Sequence, residues 1–251
     1  MWKKLMIAIW GTALMAACTS SRASSPSASP SPPASASTSP QSPSSAPLID
    51  PANFVTTIDN PYYALSPGTT FVYEGTKEGD TQRDEVVVTN ETKVILGVTC
   101  VVVRDTATHQ GDLLEKTDDW YAQDKDGNVW YFGEDTAEYE NGKVTSREGS
   151  WQAGVDGAQP GIVMLAHPEV PRSYRQEYYQ GHAEDMAWVV SLDRPIKVPY
   201  RSLDQTLLTL EWSTLDPNVI DRKYYAAGIG LVAELSASGP KETAELVSVS
   251  P

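Results

Sequence analysis

The sequence predicts an all-β, mainly antiparallel domain: a curved sheet or incomplete barrel built from hairpins, with one long packed loop. Three observations lead there. Apolar and polar residues alternate with a period of two through most of residues 50–251. Turn-forming pairs recur between these stretches. No stretch shows the spacing and caps of a long amphipathic helix. A segment of this size supports one domain with a substantial core.

The elements follow in chain order. Asp50-Pro51 reads as an N-cap followed by proline in a first turn, which predicts a short helix within Asp50 to Ile58. Ser66-Pro67-Gly68 is a turn ahead of a strand over Thr70 to Glu74. Strands are expected over Asp84 to Thr89 and Val94 to Arg104. Asp126-Gly127, between Trp120-Tyr121 and Val129 to Phe132, reads as a two-residue hairpin turn. Asn141-Gly142, between Ala137 to Tyr139 and Val144-Thr145, reads the same way, because both turn residues must take positive φ.

From Ser150 to Ser173 the alternation fails, interrupted by Gly154, Gly157, Pro160, Gly161, Pro168 and Pro171. Its apolar run Ile162 to Leu165 argues for a loop or lid packed on the sheet. Leu207 to Trp212 and Leu231 to Leu235 are the closing strands, for roughly ten to twelve in all.

The N-terminus addresses the chain for export. Lys3 and Lys4 precede an apolar run from Leu5 to Met15, too short for a helix across a bilayer of about 30 Å. Leu14-Met15-Ala16-Ala17-Cys18 resembles the bacterial lipobox, with Met15 in the place of the usual leucine. That resemblance implies acylation of Cys18 and removal of a signal peptide over residues 1–17. Each buried methylene contributes ~0.8 kcal/mol to membrane attachment, so several acyl chains would hold firmly. Residues 18–48 are then the lipidated cysteine and a Ser/Pro/Ala-rich disordered tether, whose residues 19–47 are Ser, Pro, Ala and Thr apart from Arg22 and Gln41 and so have little to bury against the cost of ordering. Residues 49–251 form a single extracytoplasmic domain, anchored to the membrane.

The formal charge is −14, and residues 1–49 carry three bases and no acid, so the remainder holds −17. Such a surface excludes nucleic acid as a partner, since phosphate binding needs positive charge. It suits cations or a basic partner. With Cys18 acylated, Cys100 stands alone in an apolar strand-like run and reads as a small buried hydrophobe.

Lys223 to Val232, with Ile196 to Pro199 and Thr206 to Trp212 before it, resembles the closing strands of bacterial envelope domains of unknown function. Those are similar to the LolA/LppX-type lipoprotein-carrier fold. The resemblance implies a curved sheet around an apolar, acyl-binding cavity, and it implies no catalytic residue.

Three clusters carry candidate chemistry. With Asp126-Gly127 as a two-residue turn, Tyr121 faces Phe132 and Gln123 faces Trp130. The same register sets Asp119 against Glu134 and Asp118 against Asp135. Like charges directly opposite are destabilising unless screened, protonated or bridged by a cation, so Asp118, Asp119, Glu134 and Asp135 are candidate ligands for Ca²⁺. His182 and Glu184 share one face of an extended strand and are the candidates for acid–base catalysis. Trp120, Tyr121, Trp130, Phe132 and Trp151 are candidate ligand contacts, because tryptophan and tyrosine join an apolar body to a polar handle. These clusters lead to a lipoprotein that binds an apolar or amphipathic ligand, such as a lipid, or an envelope protein. The alternatives are a hydrolase, with or without Ca²⁺, and an acidic adhesive or structural module.

Overall fold

The computed structural model describes residues 49–251. The expected signal peptide, Cys18 and the tether to residue 48 lie outside the described residues. The strands in chain order are β1 Phe54–Val55, β2 Thr70–Lys77, β3 Asp80–Ile95, β4 Val98–His109, β5 Asp112–Asp124, β6 Val129–Glu140, β7 Lys143–Ser146, β8 Trp151–Gln152, β9 Gln159–Met164, β10 Arg172–Arg175, β11 Glu177–Tyr178, β12 Asp185–Ser191, β13 Ile196–Lys197, β14 Ser202–Leu203, β15 Leu207–Ser213, β16 Asp216–Ala226, β17 Gly230–Ser238 and β18 Glu242–Ser250. The expected helix near Asp50 is a single 3-10 turn, Pro51–Asn53, in which the Asp50 carboxylate accepts from the Ala52 N–H.

Among the described residues, sixteen strands join one sheet, ordered β10-β12-β15-β16-β17-β18-β2-β3-β4-β5-β6-β9-β11 along its main path, with β1, β7 and β8 attached to it; β13 and β14 pair separately. The named pairs are antiparallel. The sheet nearly closes on itself. Its two ends, β10 and β11, belong to one run of chain: Arg172–Arg175 pairs with β12, and Glu177–Tyr178 pairs with β9. The result is a barrel with an unsealed seam. The stretch expected as a packed loop contributes β8 and β9, both added to β6.

Local chemistry explains the meander. Glu78-Gly79, Leu96-Gly97, Gln110-Gly111 and Asn141-Gly142 each have two consecutive residues at positive φ, the backbone of a tight hairpin whose twist matches that of its strands. The expected strand Val94 to Arg104 is therefore two strands, folded at Leu96-Gly97.

The two ends of the barrel differ. Call the near end the one where residue 49 enters; it carries the β5–β6 and β16–β17 turns. Residues 56–69 cover it. Gln123 Oε1 accepts from the N–H groups of Asp59 and Asn60, and the Asn60 amide donates to the carbonyls of Gly127 and Leu165. Ile58, Tyr63 and Leu65 thereby join the apolar core with Val129, Met164 and Leu207. The far end carries the tips of the β2–β3, β4–β5, β6–β7 and β17–β18 hairpins.

Between the ends lies a layer of buried tyrosines. Tyr121 stacks on Tyr131 with ring centres 5.0 Å apart, and Tyr63 packs on Tyr121 at 5.6 Å. Their hydroxyls, with that of Tyr225, meet the polar half of the interior. Tyr131 donates to Asp119 Oδ1 at 2.7 Å, and Tyr225 donates to Glu211 Oε1 at 3.0 Å. The tyrosine body satisfies the apolar side of this layer and its hydroxyl the charged side.

Candidate functional site

The inward-facing positions of the strands toward the far end carry acids. Among the described residues, ten buried carboxylates stand against two buried lysines, Lys77 and Lys223. An interior of this kind needs ion pairs, hydrogen bonds or bound protons to be tolerated.

One cluster is settled by its own pairing. Thr209, Lys223 and Glu234 face one another across β15, β16 and β17. The Lys223 ammonium, wholly buried, lies 3.2 Å from Glu211 and 3.5 Å from Glu234. Glu211 also accepts from Thr209, Tyr225 and Gln176. Burial works against the Lys223 charge, but Glu211, Glu234 and Asp221 together outweigh it and raise its pKa. One ammonium neutralises one carboxylate. Burial pushes Glu234 well above the usual carboxylate range despite the pull of Lys223.

The second cluster opens to solvent. A continuous cross-strand row runs Tyr73, Asp84, Ala107, Glu115, Glu138 across β2 to β6. Paired residues share a face, and Tyr73, Asp84 and Glu115 are buried, so the row lines the interior. At its β5–β6 side it reaches a cleft of about 580 Å³, between the hairpins at His109–Asp112 and Glu140–Lys143. The lining includes Asp112, Glu115, Glu138 and Glu140, with Leu113, Leu114 and Tyr139 as the apolar part. Glu115 Oε1 accepts from the Thr117 hydroxyl, which also donates to Thr136. Deeper in the row, Asp84 is 3 % exposed and its Oδ1 has no hydrogen-bond partner. Burial first, then the charges of Glu115 and Glu242, push its pKa up to about 8, against the pull of Lys77.

The β5–β6 hairpin departs from the two-residue turn in an instructive way. Asp124 N–H donates to Asn128 O, enclosing three residues, Lys125–Gly127. The Asp124 carboxylate accepts from the Asn128 N–H and side chain and from the Trp130 indole. Near the tip the pairs are therefore Tyr121 with Tyr131 and Gln123 with Val129, one residue off the expected register. A bulge at Phe132-Gly133, with Gly133 at φ +119, absorbs the slip. Asp119 then meets Glu134, and Asp118 meets Asp135, as the sequence suggests.

The pleat divides these four acids. Asp119 and Glu134 are buried within the barrel. Asp118 and Asp135 face outward: Arg104 holds Asp118 through two bonds of 2.7 and 3.1 Å, and Arg147 holds Asp135 at 2.9 Å. Alternation places the two pairs on opposite faces, so the four do not converge. Among the described residues, no group of three or more His, Cys, Asp or Glu side chains is placed to hold a metal ion.

His182 lies in a tight turn closed by the Tyr179–Ala183 bridge, and Glu184 follows that turn just ahead of β12, so the two do not share an extended strand. His182 stacks on Tyr179 at 4.3 Å. Glu184 accepts from the Gly181 N–H and the Thr214 hydroxyl. The carboxylate thus serves the turn. Of the candidate aromatic contacts, Trp120, Tyr121, Phe132 and Trp151 are buried in the core, and Trp130 packs against it, edge-on to Phe54. Lys93 lies over the Trp120 ring at 3.2 Å. The apolar pocket bounded by Tyr63, Phe71, Tyr73 and Ile229 measures about 30 Å³, the space of one water molecule.

No family model matches the chain, and no curated protein does. Two solved structures show a likeness to it. One is a protein of Bacteroides fragilis NCTC 9343, described as exported with a YmcC-like fold: 13 % identity, TM-score 0.40, covering 76 % of this chain and 99 % of the other. The second, from Parabacteroides distasonis ATCC 8503, is described as a lipoprotein: 13 % identity, TM-score 0.40, covering 75 % and 98 %. A likeness at this level assigns no function to the chain.

Proposed function

We propose that this chain is a membrane-anchored extracytoplasmic lipoprotein without catalytic activity, which takes up an amphipathic ligand in the cleft at the far end of its barrel. The observation that carries this reading is the polarity of the barrel. The chain enters at the near end, where residues 56–69 pack over the core. A cleft of about 580 Å³, lined by carboxylates together with Leu113, Leu114 and Tyr139, lies at the opposite end. The export signal, Cys18 and the Ser/Pro-rich tether supply the anchor and the reach. An acyl chain held inside the barrel has less support, because tyrosines and carboxylates fill the interior. The hydrolase reading has less as well, because Glu184 is held by Gly181 and Thr214.

Two readouts in the native host test this. Palmitate label should enter the wild-type chain and not Cys18→Ala, and the substitution should move the protein out of the membrane fraction. Asn141→Cys should react with a membrane-impermeant maleimide added outside the inner membrane, while the buried Cys100 stays silent. An unlabelled chain that fractionates identically with and without Cys18 would overturn the anchor. An Asn141→Cys protein shielded in intact cells but labelled after lysis would overturn the orientation.

A further inference from the structure

We infer that the outer face of the wall formed by β10, β12, β15, β16 and β17 is a membrane-docking surface, which lays the barrel on its side against an anionic bilayer. This rests on the proposed membrane anchor and adds how the domain sits on that membrane.

Two cross-strand rows run over this wall. One is Arg175, Met186, Trp212, Ile220, and the next is Ser173, Trp188, Leu210, Arg222, Leu235. Their neighbours along the strands, Ala187, Val189, Thr209, Glu211 and Lys223, are buried in the interior, so alternation turns both rows outward. Met186, Leu210, Trp212 and Ile220 are half-buried, Trp188 is 42 % exposed, and none of the five belongs to the core. Leu192 and Leu215, at opposite ends of the same wall, are 42 % and 39 % exposed. Apolar side chains thus run without a break across β12, β15 and β16, which singly exposed residues of an ordinary surface do not.

The charge of this wall differs from that of the wall across the barrel. Neither row holds an acid, in a domain with a large excess of acids. Across the barrel the outward rows include Glu85, Thr106, Lys116 and Arg104, Asp118, Asp135. Arg104 is bound there to Asp118, and Arg147 to Asp135. Among the described residues, Arg175 and Arg222 form no ion pair: Arg175 donates to Gln159 and lies over Tyr178, and Arg222 donates to the Ser236 carbonyl while its Nε has no hydrogen-bond partner.

This combination selects a lipid surface. Apolar side chains beside arginines without carboxylate partners suit the boundary between acyl chains and phosphates, where tryptophan also concentrates. A second copy fits less well, because a two-fold dimer through this wall would set arginine against arginine with no acid between them. The bilayer is also the partner that the chain carries with it. The tether from Cys18 to residue 48 holds the domain within about 90 Å of the anchor, so docking is intramolecular and modest contacts suffice. Facing sheets stand ~10 Å apart, beyond the ~8 Å screening length at physiological ionic strength, so the acids of the far wall oppose the approach little. In this pose the cleft between the β4–β5 and β6–β7 hairpins faces away from the bilayer and stays open.

Vesicle binding tests the inference. The protein is the mature chain from residue 18 with Cys18→Ala and Ser173→Cys, carrying an environment-sensitive fluorophore on the new thiol; Cys100 is buried and stays unlabelled. Ser173 is exposed and pairs with Trp188 in the outer row. Lys116→Cys, exposed on β5, is the control on the opposite wall. With phosphatidylcholine vesicles holding about one-third phosphatidylglycerol, the Ser173→Cys label should shift to the blue and be quenched by spin-labelled lipid, with half-saturation by about 1 mM lipid. The Lys116→Cys label should not respond. Trp188→Gln should weaken binding about tenfold, from the apolar area it withholds. Arg175→Gln with Arg222→Gln should weaken it at least about tenfold on these vesicles. If that pair fails to fold, vesicles of phosphatidylcholine alone should lower the affinity of the parent by a similar factor.

No response at Ser173→Cys, or an equal response at both sites, would overturn the inference. So would a Ser173→Cys signal that rises with protein concentration in the absence of vesicles, which would give the wall to a second copy. A signal that needs added envelope protein would overturn it as well, in favour of a protein partner. The tested chain lacks the acylation site, so the two readings fail separately. A silent wall alongside a palmitate-labelled wild type would reject the docking surface and leave the anchor standing.

Discussion

Asp84→Asn isolates the cost of charge in the barrel interior. The folded protein raises the Asp84 pKa from 3.8 to about 8. Between those values the folded state binds more protons than the unfolded state, so stability falls as pH rises. The sign follows from the raised pKa: the contribution of Asp84 is most favourable below about pH 4, is lost through the window, and is constant above about pH 8. At about 1.4 kcal/mol per pKa unit, the full shift sets a ceiling of about 6 kcal/mol. Sharing of the proton with Glu115 or Glu242 lowers the observable part, and about 3 kcal/mol is expected. Asparagine keeps the shape and removes the titration. Denaturant unfolding of the mature Cys18→Ala chain at several pH values from 4.5 to 8.5 measures it. The stability of Asp84→Asn relative to the parent should climb by about 3 kcal/mol across that range. Parallel profiles for the two proteins would refute the reasoning, because other buried acids such as Glu234 contribute equally to both.

Three further outcomes follow. Lys223→Met strands Glu211 and Glu234 without their cation and should cost about 3–5 kcal/mol at neutral pH in denaturant unfolding. Gly133→Ala should lower stability by about 2–4 kcal/mol, since its Cβ would stand 2.2 Å from the Trp151 carbonyl oxygen at φ +119; a melting temperature within a degree of the parent would contradict the bulge. Cys100, buried and with its thiol pushed up to about 12 by desolvation, should resist maleimide in the native protein and react fully in denaturant.

The β architecture is legible in the sequence because its signals are local. Alternation placed the expected strands at Thr70 to Glu74, Leu207 to Trp212 and Leu231 to Leu235, each inside an observed strand. Asn141-Gly142 marks its hairpin because asparagine is the side chain best known for tolerating positive φ. Glu78-Gly79, Leu96-Gly97 and Gln110-Gly111 make the same turn with residues that carry no such signature, and the strand break at Leu96 passes unseen for that reason. The Ser150 to Ser173 stretch hid β8 and β9, because strands of two to six residues next to glycine and proline show too few alternations to count.

The candidate site was less legible. The opposition of Asp119 to Glu134 came through, although the turn and the bulge each displaced the register by one and cancelled. The division of the acids between two faces is also implicit in the period of two. The Asp84–Glu115–Glu138 row was not legible, since it depends on the β2 to β6 registers taken together. One signal pointed that way: inward positions such as Asp221, Lys223 and Tyr225 alternate as a strand should, yet carry polar groups where a core expects leucine.

That pattern bears on what the barrel can carry. A cavity for an acyl chain needs walls that lose nothing when water leaves. Here Tyr63, Tyr121, Tyr131 and Tyr225 occupy the middle of the barrel, and their hydroxyl side borders Asp119 and Glu211. Removing water from that half without supplying cations or donors costs several kcal/mol for each ion. Lys223 supplies one such cation from within the chain, and it is wholly consumed by Glu211 and Glu234. The row from Asp84 to Glu138 has Lys77 at one end, turned toward Glu242, and opens to solvent at the other. The electrostatic demand of the interior is met on the β15–β17 side by a lysine of the chain itself. An interior filled this way disfavours a fatty acid as cargo within the barrel.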